Sequence, residues 1–289
     1  MPLHSPSRSK RRWRLVARGV FALLTVLALW AFAFEPASLR VRETALTLER
    51  WPSELDGLRV AVLADLHTGS PWNGTKSLAR VVRETNDARP DLVLIAGDLV
   101  IQGVVGGRFV SPEVSGEILS GLEARLGVFA VLGNHDWWLD GPRVIRALEA
   151  SGVTVLEDSS AAIPFRGDTL WLAGVSDYWE APHDIGRALS AVPPTSAPLV
   201  FTHNPDVFPE MPRRVALTIA GHTHGGQVAL PGVGRPIVPS VYGERYASGH
   251  VREYGRDLFV STGVGTSILP VRFRVPPEVH VLTLRSPPR

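Results

Sequence analysis

Five short polar clusters in the sequence each follow a run of apolar residues and carry side chains that can bind metal ions. They are Asp65-Leu66-His67, Gly97-Asp98, Gly133-Asn134-His135-Asp136, Thr202-His203-Asn204 and Gly221-His222-Thr223-His224. Their carboxylate, amide and imidazole donors suit Mn, Fe, Zn or Co, and the sequence does not choose among these metals. Because the chain contains no cysteine, thiolate metal sites and disulfides are excluded. The candidate ligands are Asp65, His67, Asp98, Asn134, His203, His222 and His224.

The spacing within two of the clusters is suited to ligands that share an ion. Side chains two residues apart on an extended strand point to the same face, so we expect Asp65 and His67 to reach one ion. His222 and His224 are expected to do the same if the strand geometry continues into the loop. Glycines before three of the candidate ligands permit sharp turns or a close approach of the backbone to an ion. One such cluster is common in unrelated proteins, whereas five in order indicate a shared site.

The apolar runs that precede the clusters predict buried strands, because short runs rich in Val, Leu, Ile and Ala are typical of the interior of a sheet. We predict these strands at Leu58–Ala64, Leu92–Ala96, Val128–Leu132, Leu199–Thr202 and Leu217–Ala220, with others near Trp171–Val175, Leu258–Val260 and Val279–Leu284. Helices are expected at roughly Lys76–Ala88, Pro112–Arg125 and Pro142–Ser151. This alternation predicts an α/β domain with a largely parallel or mixed sheet, whose strand ends bring the clusters to one edge.

The N-terminal part of the chain predicts a membrane segment. Residues 19–34 are almost wholly apolar and follow a basic stretch that has no acidic residue. The run is short for a span, although extension back past Arg18 to Leu15 would lengthen it. We therefore divide the chain into a basic N-terminus with its membrane segment, residues 1–37, and a globular domain, residues 38–289. The basic residues before the segment favour a cytoplasmic N-terminus and a domain outside the cytoplasm.

Two other interpretations of this segment stay open. Ala31-Phe32-Ala33 fits the small-x-small pattern of signal-peptide cleavage, and Arg11-Arg12 followed by Leu15 loosely matches a twin-arginine signal. Cleavage at this place would export the domain instead of anchoring it. The segment could also be a buried helix of the domain itself.

The basic pI of the chain, about 9.3, does not indicate nucleic-acid binding. Six of the 30 basic residues precede residue 19, whereas all 28 acidic residues lie at Glu35 or beyond it. The remainder of the chain is therefore net acidic, and the positive charge is confined to the N-terminus. We predict no nucleic-acid partner.

The ordered set of motifs resembles the signature of the calcineurin-like metallophosphoesterase superfamily. The motifs are D-x-H, G-D, G-N-H-D, H and G-H-T-H. The resemblance runs from Leu58 to at least Gln227. Residues 225–227, 242–246, 261–267 and 276–279 are further similar to a bacterial branch that is membrane-associated or exported. The resemblance implies a four-layer α/β/β/α sandwich of two mixed sheets, with a dinuclear metal site at the strand ends.

The resemblance also implies roles for the candidate residues. A first divalent ion would be held by Asp65, His67 and His224, a second by Asn134, His203 and His222, and Asp98 would bridge both. His135 matches the catalytic histidine of the family and is not a ligand. Hydroxide held between the metals would attack phosphorus, and His135 would stabilise or protonate the departing oxygen.

The implied activity is metal-dependent hydrolysis of a phosphoester, with a phosphodiester or pyrophosphate of a lipid or envelope intermediate as the expected substrate. The alternatives are a UDP-diacylglucosamine pyrophosphatase, a phosphodiesterase for soluble nucleotides, and a non-catalytic protein-binding scaffold on the same fold. A scaffold could lose His135 or the ligands without penalty. This sequence retains all of them, which favours the enzyme.

Three features beside the clusters have more than one interpretation. Asp136 could orient His135 or cap a loop. Trp137-Trp138 could wall a substrate pocket, although core packing is the expected role. Glu244, Arg245 and Arg272 are candidate substrate or loop contacts, with surface salt bridges as the expected role.

Overall fold

The structure is a computed structural model that describes residues 8–288. Its N-terminal helix, α1, spans Arg8–Leu29 and continues as a π-helical turn over Trp30–Phe34. The segment Lys10–Phe34 has 25 residues and contains an 18-residue window with a mean hydropathy of 2.1, of which only 6% is buried. The helix is thus long and apolar enough to cross a membrane, and the interpretation as a buried core helix is wrong. An uncleaved anchor and a signal sequence share these properties.

Twelve strands form two sheets within the described residues. In chain order they are β1 Arg40–Thr47, β2 Leu58–Leu63, β3 Leu92–Ala96, β4 Val128–Val131, β5 Thr154–Val155, β6 Ser159–Phe165, β7 Asp168–Val175, β8 Leu199–Thr202, β9 Leu217–Ala220, β10 Gly249–Glu253, β11 Arg256–Val260 and β12 Glu278–Arg285. The first sheet has the order β1-β12-β2-β3-β4-β5, and the second has the order β10-β11-β9-β8-β7-β6. Both sheets are mixed, because β12 is antiparallel to β2, β6 to β7, and β10 to β11, whereas the other neighbours are parallel.

Helices cover the outer faces of the two sheets. The helices after the first are α2 Thr75–Asp87, α3 Pro112–Leu119, α4 Asn134–Ala150 and α5 Ile185–Ala188. The first sheet packs against α2, α3 and α4. A thinner layer of α5 and a 3-10 turn at Pro205–Glu210 covers the second sheet. The predicted α/β class and the sandwich of two mixed sheets are confirmed.

The two sheets pack face to face because alternate residues of their strands are apolar on both sides. In β3, Leu92 and Leu94 belong to the core between the sheets, whereas Val93 and Ile95 belong to the core under the helices. Phe201 of β8 lies in the same inter-sheet core and is fully buried. This packing fixes the ends of β2, β3, β4, β8 and β9 at a common edge.

The sequence locates the five strands before the clusters to within one residue at their ends, but misses β1, β5, β6 and β10. Those four are all edge strands. An edge strand needs fewer apolar residues and tolerates charges such as Arg40, Arg42 and Glu43, so its pattern is weak.

Two of the predicted helices have different bounds in the structure. The helix predicted over Pro112–Arg125 ends at Leu119, before a turn in which Gly121 N–H donates to the carbonyl of Ile118. The helix predicted from Pro142 begins at Asn134, so that the third cluster forms its first turn. Asp140 is extended within it, with a φ of 179°, and Pro142 therefore starts a second helical segment, where proline is tolerated.

Phe201→Ala tests the inter-sheet core. The change would leave a cavity between the sheets, and we expect it to lower the free energy of unfolding by about 3–5 kcal/mol. The matched control is Phe109→Ala, because Phe109 is 56% exposed and should lose less than about 1 kcal/mol. Urea unfolding of the full chain in detergent measures the change in the free energy of unfolding for both variants. Equal losses would contradict the placement of Phe201 in the core.

Candidate metal centre

The five polar clusters lie together at the edge where the strands end, and the side chains of the candidate ligands converge there in two groups. Donor atoms within 4.8 Å of one another are offered in one group by Asp65, His67 and His224 and in the other by Asp98, His203 and His222. Asn134 joins the second group, since its Oδ1 lies 3.2 Å from Nε2 of His203. All seven side chains are buried.

The carboxylate of Asp98 joins the two groups. Its Oδ2 lies 3.4 Å from Nε2 of His67 in the first group and 3.3 Å from Nε2 of His203 in the second. Its Oδ1 accepts the backbone N–H of His135 at 2.9 Å. One carboxylate therefore contacts donors from both sheets.

Hydrogen bonds to the backbone set the tautomers of two histidines. Nδ1 of His67 lies 3.1 Å from the carbonyl of Val100, and Nδ1 of His203 lies 2.8 Å from the carbonyl of Ala96. A carbonyl only accepts, so Nδ1 carries the proton in each ring, as is typical of metal-binding histidines. Nε2 of each ring is thereby left facing the site as the atom available to a cation.

The imidazole nitrogens are spaced as neighbouring ligands of an ion would be. Nε2 of His67 lies 3.1 Å from Nε2 of His224, and Nδ1 of His222 lies 3.1 Å from Nε2 of His203. Donors at about 2.0–2.1 Å from one ion lie about 3 Å apart, so these pairs fit a coordination shell. Among the described residues, Nδ1 of His224 has no hydrogen-bond partner.

Burial and the acidic side chains set the charge of the site. Burial lowers the pKa of His67 to about 4 and that of His222 to about 3, so both rings are neutral near pH 7. Burial likewise raises the pKa of Asp65 to about 7. His203 differs, because the carboxylate of Asp98 outweighs the effect of burial and raises its pKa to about 10. A cation bound at His203 would therefore displace a proton.

The backbone around the site corrects the expectation that Asp65 and His67 share a strand face. β2 ends at Leu63, and both residues adopt left-handed conformations, with φ values of 50° and 37°. His222 and His224 do the same, with φ values of 69° and 51°, so the strand geometry does not continue into that loop. Left-handed turns, which cost of order 1 kcal/mol or more each, direct these side chains into the site instead.

Glycines permit ligands of different clusters to approach one another, a role that differs from the expected approach to an ion. A Cβ on Gly97 would lie 2.6 Å from Nδ1 of His203, and Gly97 itself has a φ of 83°. A Cβ on Gly133 would lie 2.2 Å from Oδ1 of Asp98. Both distances are too short for any side chain, which explains why only glycine fits at these two positions.

Asp136 caps a loop and does not orient His135. Its carboxylate accepts the backbone N–H groups of Leu99, Val100 and Gly133 at 3.0–3.2 Å. These N–H groups belong to the loop that carries Asp98 and to the residue before α4. Of the two interpretations of Asp136, the structure therefore supports the cap, which holds the second and third clusters together.

His135 faces a cavity of about 650 Å³ beside the candidate metal ligands. Burial lowers the pKa of His135, and among the described residues its Nδ1 has no hydrogen-bond partner. Trp138 lies over the ring of His135 at a centroid distance of 4.7 Å and lines the cavity. Trp137 instead packs against the core under the helices. The expectation of core packing is thus right for Trp137 and wrong for Trp138.

Arg272 supports the loops behind the first group of ligands, and the expected surface salt bridge is wrong. The side chain is fully buried, and its guanidinium donates to the carbonyls of Thr262, Gly263, Gly265, Val275 and Pro276. Gly265 N–H in turn donates to the carbonyl of Asp65 at 2.7 Å. Arg272 thus makes a loop contact, which is one of the roles considered for it.

Asp177 and Trp179, which follow β7, belong to the surroundings of the site but are not among the residues predicted from the sequence. Asp177 is fully buried, and its Oδ2 accepts the N–H groups of Trp179 and Glu180 at 2.9 and 3.0 Å. The ring of Trp179 packs edge-on against His222 at 4.3 Å and lines the cavity. A signal was present, because Ser176-Asp177 is a polar cluster directly after a predicted strand.

Asp136→Asn tests the loop cap. The amide can no longer accept all of these N–H groups, and one of its own N–H groups would face a donor. We expect a loss of about 1–3 kcal/mol in the free energy of unfolding, measured in urea. The control is Asp140→Asn on the same helix, where the carboxylate accepts only the N–H of Arg143 at an exposed position. If Asp136→Asn is as stable as the control, the cap does not hold the clusters together.

Comparison with known proteins identifies the family. The model of the calcineurin-like phosphoesterases matches residues 58–226, which include all five clusters. The metallophosphoesterase YkuE of Bacillus subtilis is 28% identical, over 94% of this chain and 97% of its own. The phosphodiesterase YaeI of Escherichia coli is 31% identical, over 78% of this chain and 82% of its own. The UDP-2,3-diacylglucosamine pyrophosphatase LpxG of Chlamydia trachomatis is 26% identical, over 92% of this chain and 98% of its own. The chain belongs to the calcineurin-like phosphoesterase family and is a metal-dependent phosphoesterase.

Proposed function

We propose that the chain hydrolyses a phosphodiester or pyrophosphate bond at a site for two divalent cations, with His135 acting on the leaving group. The observation that carries the proposal is the carboxylate of Asp98, which lies within 3.4 Å of donors from both groups of ligands. A first cation would be held by Asp65, His67 and His224, and a second by Asn134, His203 and His222, with Asp98 shared between them.

The donors fit such cations. They are oxygen and nitrogen atoms that are buried and face one another, with the lone pairs of His67 and His203 fixed by hydrogen bonds on the other ring nitrogen. Two carboxylates neutralise only half of the charge on two divalent cations, so the site remains positive and attracts a phosphate group. Manganese, iron and zinc all suit this donor set.

When bound, the cations supply Lewis-acid stabilisation of the phosphoryl group and lower the pKa of water. The residues of the chain then orient the substrate and move protons. His135 faces the cavity, and the carboxylate of Asp98 favours the protonated imidazole while burial opposes it. A positioned imidazolium can donate to the departing oxygen, which contributes about 10²–10⁴-fold to the rate.

Three variants distinguish the proposed catalytic role of His135 from the proposed metal-binding role of Asp98. His135→Ala should keep both cations and lose about 10²–10⁴-fold in turnover. Asp98→Asn should also lower the cation content, because it removes a charge shared by both positions. His250→Ala is the control. His250 lies on the edge strand β10 and pairs with Asp257, so its replacement should leave cation content and turnover unchanged. Elemental analysis gives cations per chain, and equal loss of cations from His135→Ala and Asp98→Asn would refute the division of roles.

A substrate panel tests the reaction itself. We expect the metal-loaded chain to cleave a phosphodiester or a nucleotide-linked pyrophosphate faster than a phosphomonoester, with EDTA abolishing and divalent cations restoring the turnover. A relative acts on UDP-2,3-diacylglucosamine, so a UDP-linked diacyl lipid belongs in the panel as the second candidate substrate. Binding of cations without turnover of any panel member would instead favour a non-catalytic scaffold.

We also propose that residues 1–37 anchor the chain in a membrane and that residues 38–289 lie outside the cytoplasm. The support is the exposed apolar helix, preceded by basic residues. An alkaline-phosphatase fusion after Arg289 should be active, and a green-fluorescent-protein fusion there should be dark. The reverse pattern would place the domain in the cytoplasm, where UDP-linked lipid precursors are expected, and would favour that substrate. Detection of the mature chain without its first residues would indicate a cleaved signal instead.

A further inference from the structure

The chain leaves the N-terminal helix at the same edge of the sandwich that carries the candidate metal centre. β1 is parallel to β12 and pairs Arg40 with Glu278, while β12 is antiparallel to β2 and pairs His280 with Val62. The start of β1 therefore lies at the same edge of the sheet as the end of β2, with β12 between them, and the first ligands follow β2. Topology alone places the helix and the metal centre on the same side of the domain.

The end of the helix also contacts the loops that border the cavity. The carbonyl of Ala31 accepts the backbone N–H of Arg272 at 2.9 Å, and Val271 before it lines the cavity. The carbonyl of Phe32 accepts Nε1–H of Trp72 at 2.8 Å. Trp30 donates from Nε1 to the buried carboxylate of Glu35 at 2.6 Å. These contacts fix the helix end against the loops around the cavity.

Large apolar side chains are exposed on the loops around this contact. We call this set the mouth rim, and it consists of Trp72, Val105, Phe109, Ile268 and Leu269. Val105 is 60% and Ile268 70% exposed, and the two loops are joined because Val105 N–H donates to the carbonyl of Ile268 at 2.9 Å. Ile268 and Leu269 continue inward as the wall of the cavity. An exposed apolar patch of this kind marks an interaction site.

The length of the helix determines where the mouth rim lies. The apolar part of the helix, Leu15–Phe34, has 20 residues with Arg18 as its one charged residue, and at 1.5 Å per residue it is about 30 Å long. This length matches a hydrocarbon core of about 30 Å, so the last turn lies at the boundary between that core and the interface. Only Glu35–Leu39 separate that turn from β1. The mouth rim is therefore held at the depth of the interface, where tryptophans such as Trp30 and Trp72 are enriched.

We propose that the mouth rim is inserted in the bilayer interface beside the anchor, and that the site takes the phosphoester of an amphiphile presented by the membrane. This inference rests on the proposed function. The apolar part of the substrate would occupy the cavity walled by Trp138, Trp179, Ile237 and Ile268, while its phosphate meets the ligands at the cavity floor. Hydrolysis would break the bond between phosphorus and the leaving oxygen, with the hydroxyl of water joining phosphorus and a proton joining the leaving oxygen.

The first test measures depth in the membrane without using activity. Because the chain has no cysteine, nitroxide labels can be attached to Val105→Cys and Glu123→Cys of the full chain in phosphatidylcholine vesicles. Glu123 is exposed on the loop before β4, at the opposite end of the sheet from the metal centre. The label at 105 should collide with oxygen and be shielded from a water-soluble nickel chelate, and the label at 123 should show the reverse. Equal exposure to nickel, or spin coupling between two copies at 105, would overturn the membrane contact.

The second test measures turnover with two esters that share a leaving group. The substrates are p-nitrophenyl hexadecyl phosphate in vesicles and soluble p-nitrophenyl ethyl phosphate. Val105→Asp/Phe109→Asp changes residues outside the cavity lining, and we expect about tenfold or more lower turnover of the hexadecyl ester with unchanged turnover of the ethyl ester. Equal loss on both esters would overturn the inference. If the unmodified chain cleaves neither ester, the phosphodiesterase part of the proposed function fails, and the labels alone decide the membrane contact.

Discussion

The arrangement of the candidate ligands depends on the contacts that the carboxylate of Asp98 makes. This carboxylate lies between Nε2 of His67, which follows a strand of the first sheet, and Nε2 of His203, which follows a strand of the second. A buried carboxylate is tolerated only with such partners, and each sheet supplies one of them. The inter-sheet core, with Phe201 at its centre, fixes the distance between the two strand ends. The candidate metal centre therefore depends on the packing of both sheets and not on either sheet alone.

The polar groups around the ligands show how this arrangement is held. Asp136 binds the loop of Asp98 to the start of α4, and Arg272 binds the loop behind Asp65. Oδ1 of Asp65 accepts the N–H of His222 at 3.0 Å, which joins the sheets a second time. These contacts offset the cost of the left-handed residues, whose conformations local sequence preferences disfavour. Strain at the site is thus balanced by the hydrogen bonds of Asp136, Arg272 and Asp65.

The sequence predicts the central strands and the order of the clusters because both depend on local patterns. Short apolar runs such as Leu92–Ala96 form the strands of a buried sheet, and parallel strands end at a common edge of that sheet. Edge strands such as β1 carry little apolar signal and were missed. The left-handed turns at Asp65 and His67 could not be foreseen, since they are imposed by tertiary contacts such as Gly265 N–H with the carbonyl of Asp65. The same holds for Arg272, whose burial is visible only once distant loops are brought together.

The most direct test of this account is a crystal structure of the full chain loaded with manganese, in which anomalous scattering locates the ions. The account predicts two ions about 3.5–4 Å apart on either side of the Asp98 carboxylate. One should be bound by Asp65, His67 and His224 and the other by Asn134, His203 and His222. One ion alone at full occupancy, or ions bound away from Asp98, would contradict it.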